Sequence, residues 1–380
     1  MEMIFPDWEN SILNVSSTFL NYLGEDNNHS KIKELQDELS KNYKNVVFIN
    51  IDGLGLHALE KHLPETSFMR THVKKKITSV FPSTTTNATR TLITATPPAE
   101  HGWFGWAMNF KEMGKTVELF TDMDYHTGEP VGHHYAWENL PYTAFYEKPN
   151  LRKDIEIYTV FPTYVHHDFS DNNFLFAPED VDDFFQTIDL ICKKQEKKFV
   201  YTYYSYLDTI MHMFGVSSTQ ARDEFVELNK QFENLVTSNK DSLFVITADH
   251  GHIDVHGMVN IYEDKKIIEC LKYMPSIESR AAVFHVKSDM HEKFTLAFKK
   301  YEKDFELFPS KELIEKGVFG EFTNENYKHF LGDFVAIGKE SNKLLILAKG
   351  KEFFSRGIFK GHHTGLTKGE MILPLIIAET

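Results

Sequence analysis

Cysteine is almost absent, with Cys192 and Cys270 the only two in 380 residues. Both sit in helix-like stretches, DLICKKQEKK and IIECLKY, without CxxC spacing. That argues against a disulfide framework or a thiolate metal site and fits a reducing compartment. Basic residues are in deficit, 41 Lys and Arg against 55 Asp and Glu, which argues against a broad basic face for sequence-independent nucleic-acid binding. A local positive pocket for a small anion is still allowed. The N-terminal stretch MEMIFPDWENSILNVSSTFL has acids among its first nine residues and no apolar run long enough for a signal or a membrane span. The expectation is a cytoplasmic protein with neither membrane nor nucleic-acid partners. Internal repeats, low-complexity tracts and flexible linkers are missing too.

What is present reads as a large α/β protein, since a chain of this length can bury a sizeable core. The stretch LFVITADHGH carries five apolar or β-branched residues, Leu243 to Thr247, of the kind found in strands covered on both faces. Asp249 and His250 follow at its carboxyl end, where open α/β sheets bind ligands, and a hard oxygen beside an imidazole suits a metal. The plain alternative is a helix-capping Asp with a histidine beside it. Gly251 lets the backbone turn away. NVVFINIDGLG repeats the pattern: Val46 to Ile51 form a strand and Asp52 stands at its end. If the two strands are parallel neighbours, both carboxylates reach one sheet edge, where they are costly without a cation.

Further segments add candidates. In VFPSTTTNATRTLITA, a short strand ends at Val80 and Phe81, Pro82 forces a turn, and Ser83, Thr84, Thr85 and Thr86 offer hydroxyl groups ahead of a helix over 87–95. One of them at a helix N-terminus is placed to attack an anionic phosphate, although an ordinary N-cap has the same appearance. In FVYTYYSYLDTIMHMFG, a strand over 199–206 leads to Asp208 and His212, four apart and on one helix face. Near the end, His362 and His363 occupy a Gly-bounded loop before the strand Ile372 to Ala378. Two amphipathic helices, residues 11–23 and 31–41, are expected on the outside of the sheet.

The order and context of these segments resemble the alkaline phosphatase superfamily of metal-dependent phosphohydrolases, and within it the nucleotide pyrophosphatase/phosphodiesterase branch and the bacterial proteins near it. The resemblance runs from Val46 to the C-terminus. It implies a three-layer α/β core with a central, mostly parallel sheet between helices. It also implies two divalent ions, zinc or alternatively manganese, one held by Asp208, His212 and His363 and the other by Asp52, Asp249 and His250. The family nucleophile follows Phe-Pro by three positions, which is Thr85, and His363 is preferred to His362 by its distance from Gly365 and Leu366. The implied activity is hydrolysis of phosphodiester or pyrophosphate bonds in a small anionic substrate, a nucleotide among the candidates, through a phosphothreonine intermediate. A phosphomonoesterase or phosphonate hydrolase would use the same ligands, and a protein that only binds metal or a partner would not need Thr85.

Departures from that pattern concern the substrate. Nucleotide-cleaving relatives place an aromatic residue after the nucleophile and an Asn about twenty positions on; here these are Thr86 and Trp106. Tyr203 matches a second base-stacking position, or is a core aromatic in a strand rich in them. The backbone N–H of Thr86, or Asn87 or Asn109, is then the candidate partner for a phosphoryl oxygen. Arg90 is expected on the solvent face of its helix or paired with a carboxylate, away from the substrate. His252 and His256 read as supporting groups or a surface turn, and His133, His134, His166 and His167 as loop residues. Residues 259–330 read as a small α/β cap inserted between core segments 1–258 and 331–380, with FVAIG and LLILAK leading back to the core sheet.

Overall fold

A computed structural model describes residues 2–163, 174–177, 180–355 and 357–380; His166 and His167 lie outside them. Apolar and β-branched runs form a seven-stranded sheet in the order Val73–Thr78, Ile372–Glu379, Ser242–Thr247, Asn45–Ile51, Lys198–Tyr204, Glu156–Pro162, Phe174–Ala177. Asn45–Ile51 pairs in parallel with both Lys198–Tyr204 and Ser242–Thr247. Ile372–Glu379 is antiparallel to both of its neighbours, so the sheet is mostly parallel, as expected. The three central strands are buried along their whole length, which explains why they read as continuous apolar runs rather than alternating ones.

The first predicted helix forms as Ile12–Tyr22 but is not on the outside: every residue from Ile12 to Leu20 is buried. Phe19 stacks on Phe48 of the sheet at 4.7 Å between ring centres, while Ser16 Oγ donates to Leu92 O of the Thr85–Thr94 helix at 2.6 Å. A polar stripe satisfied by a second helix looks, in sequence, like one that faces water. The second helix, Lys33–Leu39, buries only Leu35 and Leu39.

The cap expectation needs a larger correction. A second seven-stranded sheet runs Phe305–Pro309, Phe334–Gly338, Ala281–Phe284, Ser276–Glu278, Ala107–Phe110, Lys115–Glu118, Met123–Asp124. Its pairings are antiparallel. Residues 107–124 therefore join it from far outside 259–330, and FVAIG belongs to it rather than to the core sheet. Lys343–Ile346 pairs instead with Gly257–Asn260. After residue 260, only Ile372–Glu379 returns to the core sheet. Strand pairing is non-local, so short strands announce themselves in sequence without announcing their partners.

The two sheets are bolted together by one buried ion pair. Arg280, at 0 % exposure, donates from Nε to Glu370 Oε1 at 2.6 Å and from Nη2 to Oε2 at 3.1 Å. Glu370, equally buried, also accepts from Gly365 N, Thr367 N and Thr367 Oγ1 at 2.8, 3.2 and 2.7 Å. Arg280 and these donors hold the Glu370 carboxyl below its ordinary range against the opposing effect of burial. Removing one partner leaves an uncompensated buried charge, so Arg280→Ala is expected to lower stability by about 3–5 kcal/mol. Urea titration checks this; a loss below about 1 kcal/mol would mean that Glu370 is content without its partner.

Candidate metal and phosphoryl-transfer site

The parallel register of the central strands decides where the acids meet. Ile51 aligns with Tyr204, and Asn50 with Thr247, so Asp52, Asp249 and the Tyr206–Phe214 helix all begin at one sheet edge. Gly53 makes the turn after Asp52 with φ +78°, a conformation that suits glycine. Gly251 works differently from expectation: a Cβ there would lie 2.1 Å from Gly369 O and 3.0 Å from Gly55 Cα, so close backbone packing is what requires the glycine.

Six of the sequence-predicted ligands converge, and a seventh residue joins them. One potential ligand atom each from Asp208, His212, His252 and His363 lies within 4.8 Å of the others, and Asp52, Asp208 and His250 form a second such group. Asp208 thus stands between two sets. Asp249 is at their edge, with Oδ1 accepting from Gly53 N at 3.2 Å and His250 N at 2.9 Å and Oδ2 3.6 Å from His250 Nε2. His252, read from sequence as a supporting group or a surface turn, is 1 % exposed with Nε2 2.6 Å from Asp208 Oδ1. Its position two residues after His250 was the available signal. His362 points its Nδ1 at His363 O, 2.9 Å away, and belongs to neither group.

Backbone carbonyls set the imidazoles. With Nδ1–H donating, His212 reaches Gly361 O at 2.9 Å, His250 reaches Gly251 O at 3.1 Å and His363 reaches Ser83 O at 3.1 Å. Each Nε2 is left free as a ligand, the arrangement usual around bound metals. Burial pushes His212 down to about 4 and His250 to about 3, and drives His363 well below its ordinary value; all three are neutral at neutral pH.

The carboxylates point the same way. Burial, then Asp249 and Asp208, raises Asp52 well above the ordinary carboxylate range; burial, then Asp208, raises Asp249. Asp208 goes down, because His212, His252 and His250 outweigh its burial. Asp52 Oδ1 and Asp249 Oδ2 are buried with no hydrogen-bond partner. Orphaned oxygens beside free imidazole nitrogens fit divalent ions of the zinc type.

Four hydroxyl candidates separate cleanly. Ser83 Oγ donates to Gly365 O at 2.8 Å and Thr84 Oγ1 to Glu278 Oε1 at 2.9 Å, while Thr86 is fully buried. Thr85 alone between Phe81 and Arg90 keeps partial exposure. Its Oγ1 lies 3.1 Å from His250 Nε2 and 3.5 Å from Asp52 Oδ2. The helix starts at Thr85 rather than Asn87, and its first hydrogen bond is Ala88 N to Thr84 O. The N–H groups of Thr85, Thr86 and Asn87 therefore stand at its open end.

Other substrate-side expectations are corrected. Asn87 is fully buried and donates Nδ2 to Pro82 O at 2.8 Å, so it braces the turn instead of facing a substrate. Asn109 is buried in the second sheet. Tyr203 is turned inward at 9 % exposure and donates its hydroxyl to Asp52 Oδ2; it orients an acid and is not open for base stacking. Arg90 is not solvent-facing, and it pairs with no carboxylate among the described residues. Its guanidinium sits 4.5, 5.2, 5.0 and 4.6 Å from the ring centres of Trp103, Phe120, Trp137 and Tyr142, a cation–π enclosure that apolar spacing did not reveal.

Residues 46–358 match the family model of type I phosphodiesterase / nucleotide pyrophosphatase. No curated protein sequence matches the chain. Among solved structures, phosphonoacetate hydrolase from Sinorhizobium meliloti 1021 in complex with phosphonoformate is similar at 14 % identity over 88 % of this chain and 89 % of that one, with a TM-score of 0.64. Murine ectonucleotide pyrophosphatase / phosphodiesterase 5, an inactive form in complex with AMP, is similar at 16 % identity over 87 % of each chain, with a TM-score of 0.58. At these identities the likeness concerns the fold.

A proton-linked test follows from the carboxylates. Because Asp52 and Asp249 hold protons above the ordinary carboxylate range while His212, His250 and His363 are already neutral, a cation entering between about pH 5.5 and 7 displaces carboxyl protons. Zinc titrations in buffers of different ionisation enthalpy should show proton release in that window, with affinity rising as pH rises. Binding with no proton release would mean that both acids are already ionised.

Proposed function

The chain belongs to the type I phosphodiesterase / nucleotide pyrophosphatase family of phosphoric ester hydrolases, and from that premise we propose that it cleaves phosphodiester or pyrophosphate bonds in a small anionic substrate with Thr85 as nucleophile. The observation that carries this reading is the exposure of Thr85 alone in its segment, with Oγ1 directed at His250 and Asp52.

In this reading Asp208, His212 and His363, joined by His252, hold one divalent ion, and Asp52, Asp249 and His250 hold another, zinc before manganese. When bound, such ions polarise phosphoryl oxygens and favour the ionised form of the attacking hydroxyl. The chain does the rest. Tyr203 steadies Asp52 through its hydroxyl, and the Thr85 proton has an acceptor in Asp52 Oδ2 at 3.5 Å, His250 Nε2 being taken up as a ligand. The Thr86 N–H at the open helix end is the donor for a non-bridging phosphoryl oxygen. Thr85 Oγ1 bonds to phosphorus as the ester or anhydride oxygen departs with the bonding pair, giving phosphothreonine. Water attacks the same phosphorus and returns the hydroxyl; two in-line displacements retain configuration. Arg90, held among four rings, is not offered to a dianionic phosphate, which favours diesters and anhydrides over monoesters.

A reducing, cytoplasmic setting belongs to the same proposal, supported by Cys192 and Cys270 both being unpaired. No helix among the described residues is long and apolar enough to cross a membrane.

Thr85→Ala is expected to lower turnover of bis-p-nitrophenyl phosphate or a nucleotide p-nitrophenyl ester by about a thousandfold or more, with about two metal equivalents retained by elemental analysis. Thr86→Ala should stay active. An inactive Thr86→Ala beside an active Thr85→Ala would move the nucleophile by one residue, and preferential turnover of phosphonoacetate would move the substrate class.

A further inference from the structure

Glu278 ends the Ser276–Glu278 strand of the second sheet, next to Ala107–Phe110, yet its side chain reaches the nucleophile segment of the core. Oε1 accepts from Thr84 Oγ1 at 2.9 Å and from Trp106 N at 2.9 Å. Thr84 is the residue before Thr85 and stands at the N-cap of its helix. Trp106 occupies the position where nucleotide-cleaving relatives were expected to carry an Asn. Oε2 accepts no hydrogen bond from the described residues, and the side chain keeps partial exposure. Thr84 therefore anchors one carboxyl oxygen one residue ahead of the candidate nucleophile and leaves the other without a donor among the described residues.

The surroundings of this carboxyl carry its own sign. Glu118 on the Lys115–Glu118 strand and Asp208 on the Tyr206–Phe214 helix both act on it, and Tyr125 feels its charge in turn. Burial first, then these acids, pushes Glu278 up to about 7 against the two donors on Oε1. Lys351, the nearby base, is paired with Glu118, and no Lys, Arg or His among the described residues forms an ion pair with Glu278. Once ionised, this acid faces an incoming phosphoryl group without an ion-pair partner among the described residues.

We propose that Glu278 is the specificity-determining residue of this site: set beside Thr85, its carboxylate discriminates against a phosphoryl group bearing two negative charges and so selects diesters and anhydrides over monoesters. The proposal rests on the reading of Thr85 as nucleophile and adds the residue that sets the charge of the substrate.

Glu278→Gln tests it, because the amide oxygen still accepts from Thr84 and Trp106 while the charge is lost. In metal-reconstituted protein at about pH 8.5, where Glu278 is ionised, the kcat/KM ratio of bis-p-nitrophenyl phosphate to p-nitrophenyl phosphate is expected to fall about tenfold, the order expected for loss of one unit charge in partly screened surroundings. Glu278→Asp keeps the charge and should keep the wild-type ratio; a merely structural role would move both variants. The second readout needs no turnover: calorimetric Kd of p-nitrophenyl phosphate for Thr85→Ala against Thr85→Ala/Glu278→Gln, with about tenfold tighter binding expected in the latter. If the wild type hydrolyses neither ester, the reaction reading falls while the Kd comparison still judges Glu278. An unchanged ratio, or an unchanged Kd, overturns the assignment.

Discussion

Three carboxylates and four imidazoles share one dry end of a parallel sheet, and their mutual electrostatics constrain everything around them. Asp52 and Asp249 are almost fully buried and leave oxygens without partners. Protons relieve the repulsion in the free protein; a divalent ion relieves it better, since each carboxylate oxygen and free Nε2 then has a partner. Nothing else about the sheet requires acids there. The strands could have ended on Ser or Asn with less cost, so the acids mark this edge as a candidate cation site.

Holding such a cluster needs rigid neighbours, and the chain supplies them from backbone more than from side chains. Carbonyls of Gly251, Gly361 and Ser83 fix three ring orientations. The 361–367 segment that brings His363 is in turn held by Glu370, and Glu370 by Arg280 of the second sheet. One ion pair therefore links the turn between two strands of the second sheet to the position of a candidate ligand. A buried pair of this kind contributes little net stability over an apolar one, while removal of either partner strands a charge in the interior where the two sheets dock.

That docking also explains how charge enters from a distance. The second sheet is not only a cover: Glu278 projects from it to the turn that presents Thr85. Arg90 is kept among aromatic rings, also drawn largely from residues 103–142. The core supplies the candidate ligands and the candidate nucleophile, whereas the second sheet and its neighbouring segments bring further charges beside them.

Sequence alone determined the central strands, because residues covered on both faces must be apolar throughout and each run is followed by a candidate metal-ligating acid. It also determined the acid and histidine positions of the site, since Asp52, Asp208 and Asp249 each follow a strand and the sheet's parallel register carries such ends to one edge. Tertiary structure alone decided which hydroxyl stays open, since Ser83, Thr84, Thr85 and Thr86 differ in their partners and not in their local pattern. It likewise decided that His252 joins the cluster, that Tyr203 turns its hydroxyl to Asp52, that Arg90 finds aromatic rings instead of water, and that residues 107–124 pair with 276–338. Each of these depends on contacts between residues tens to hundreds of positions apart, and local propensity carries no information about a partner that only the folded chain brings near.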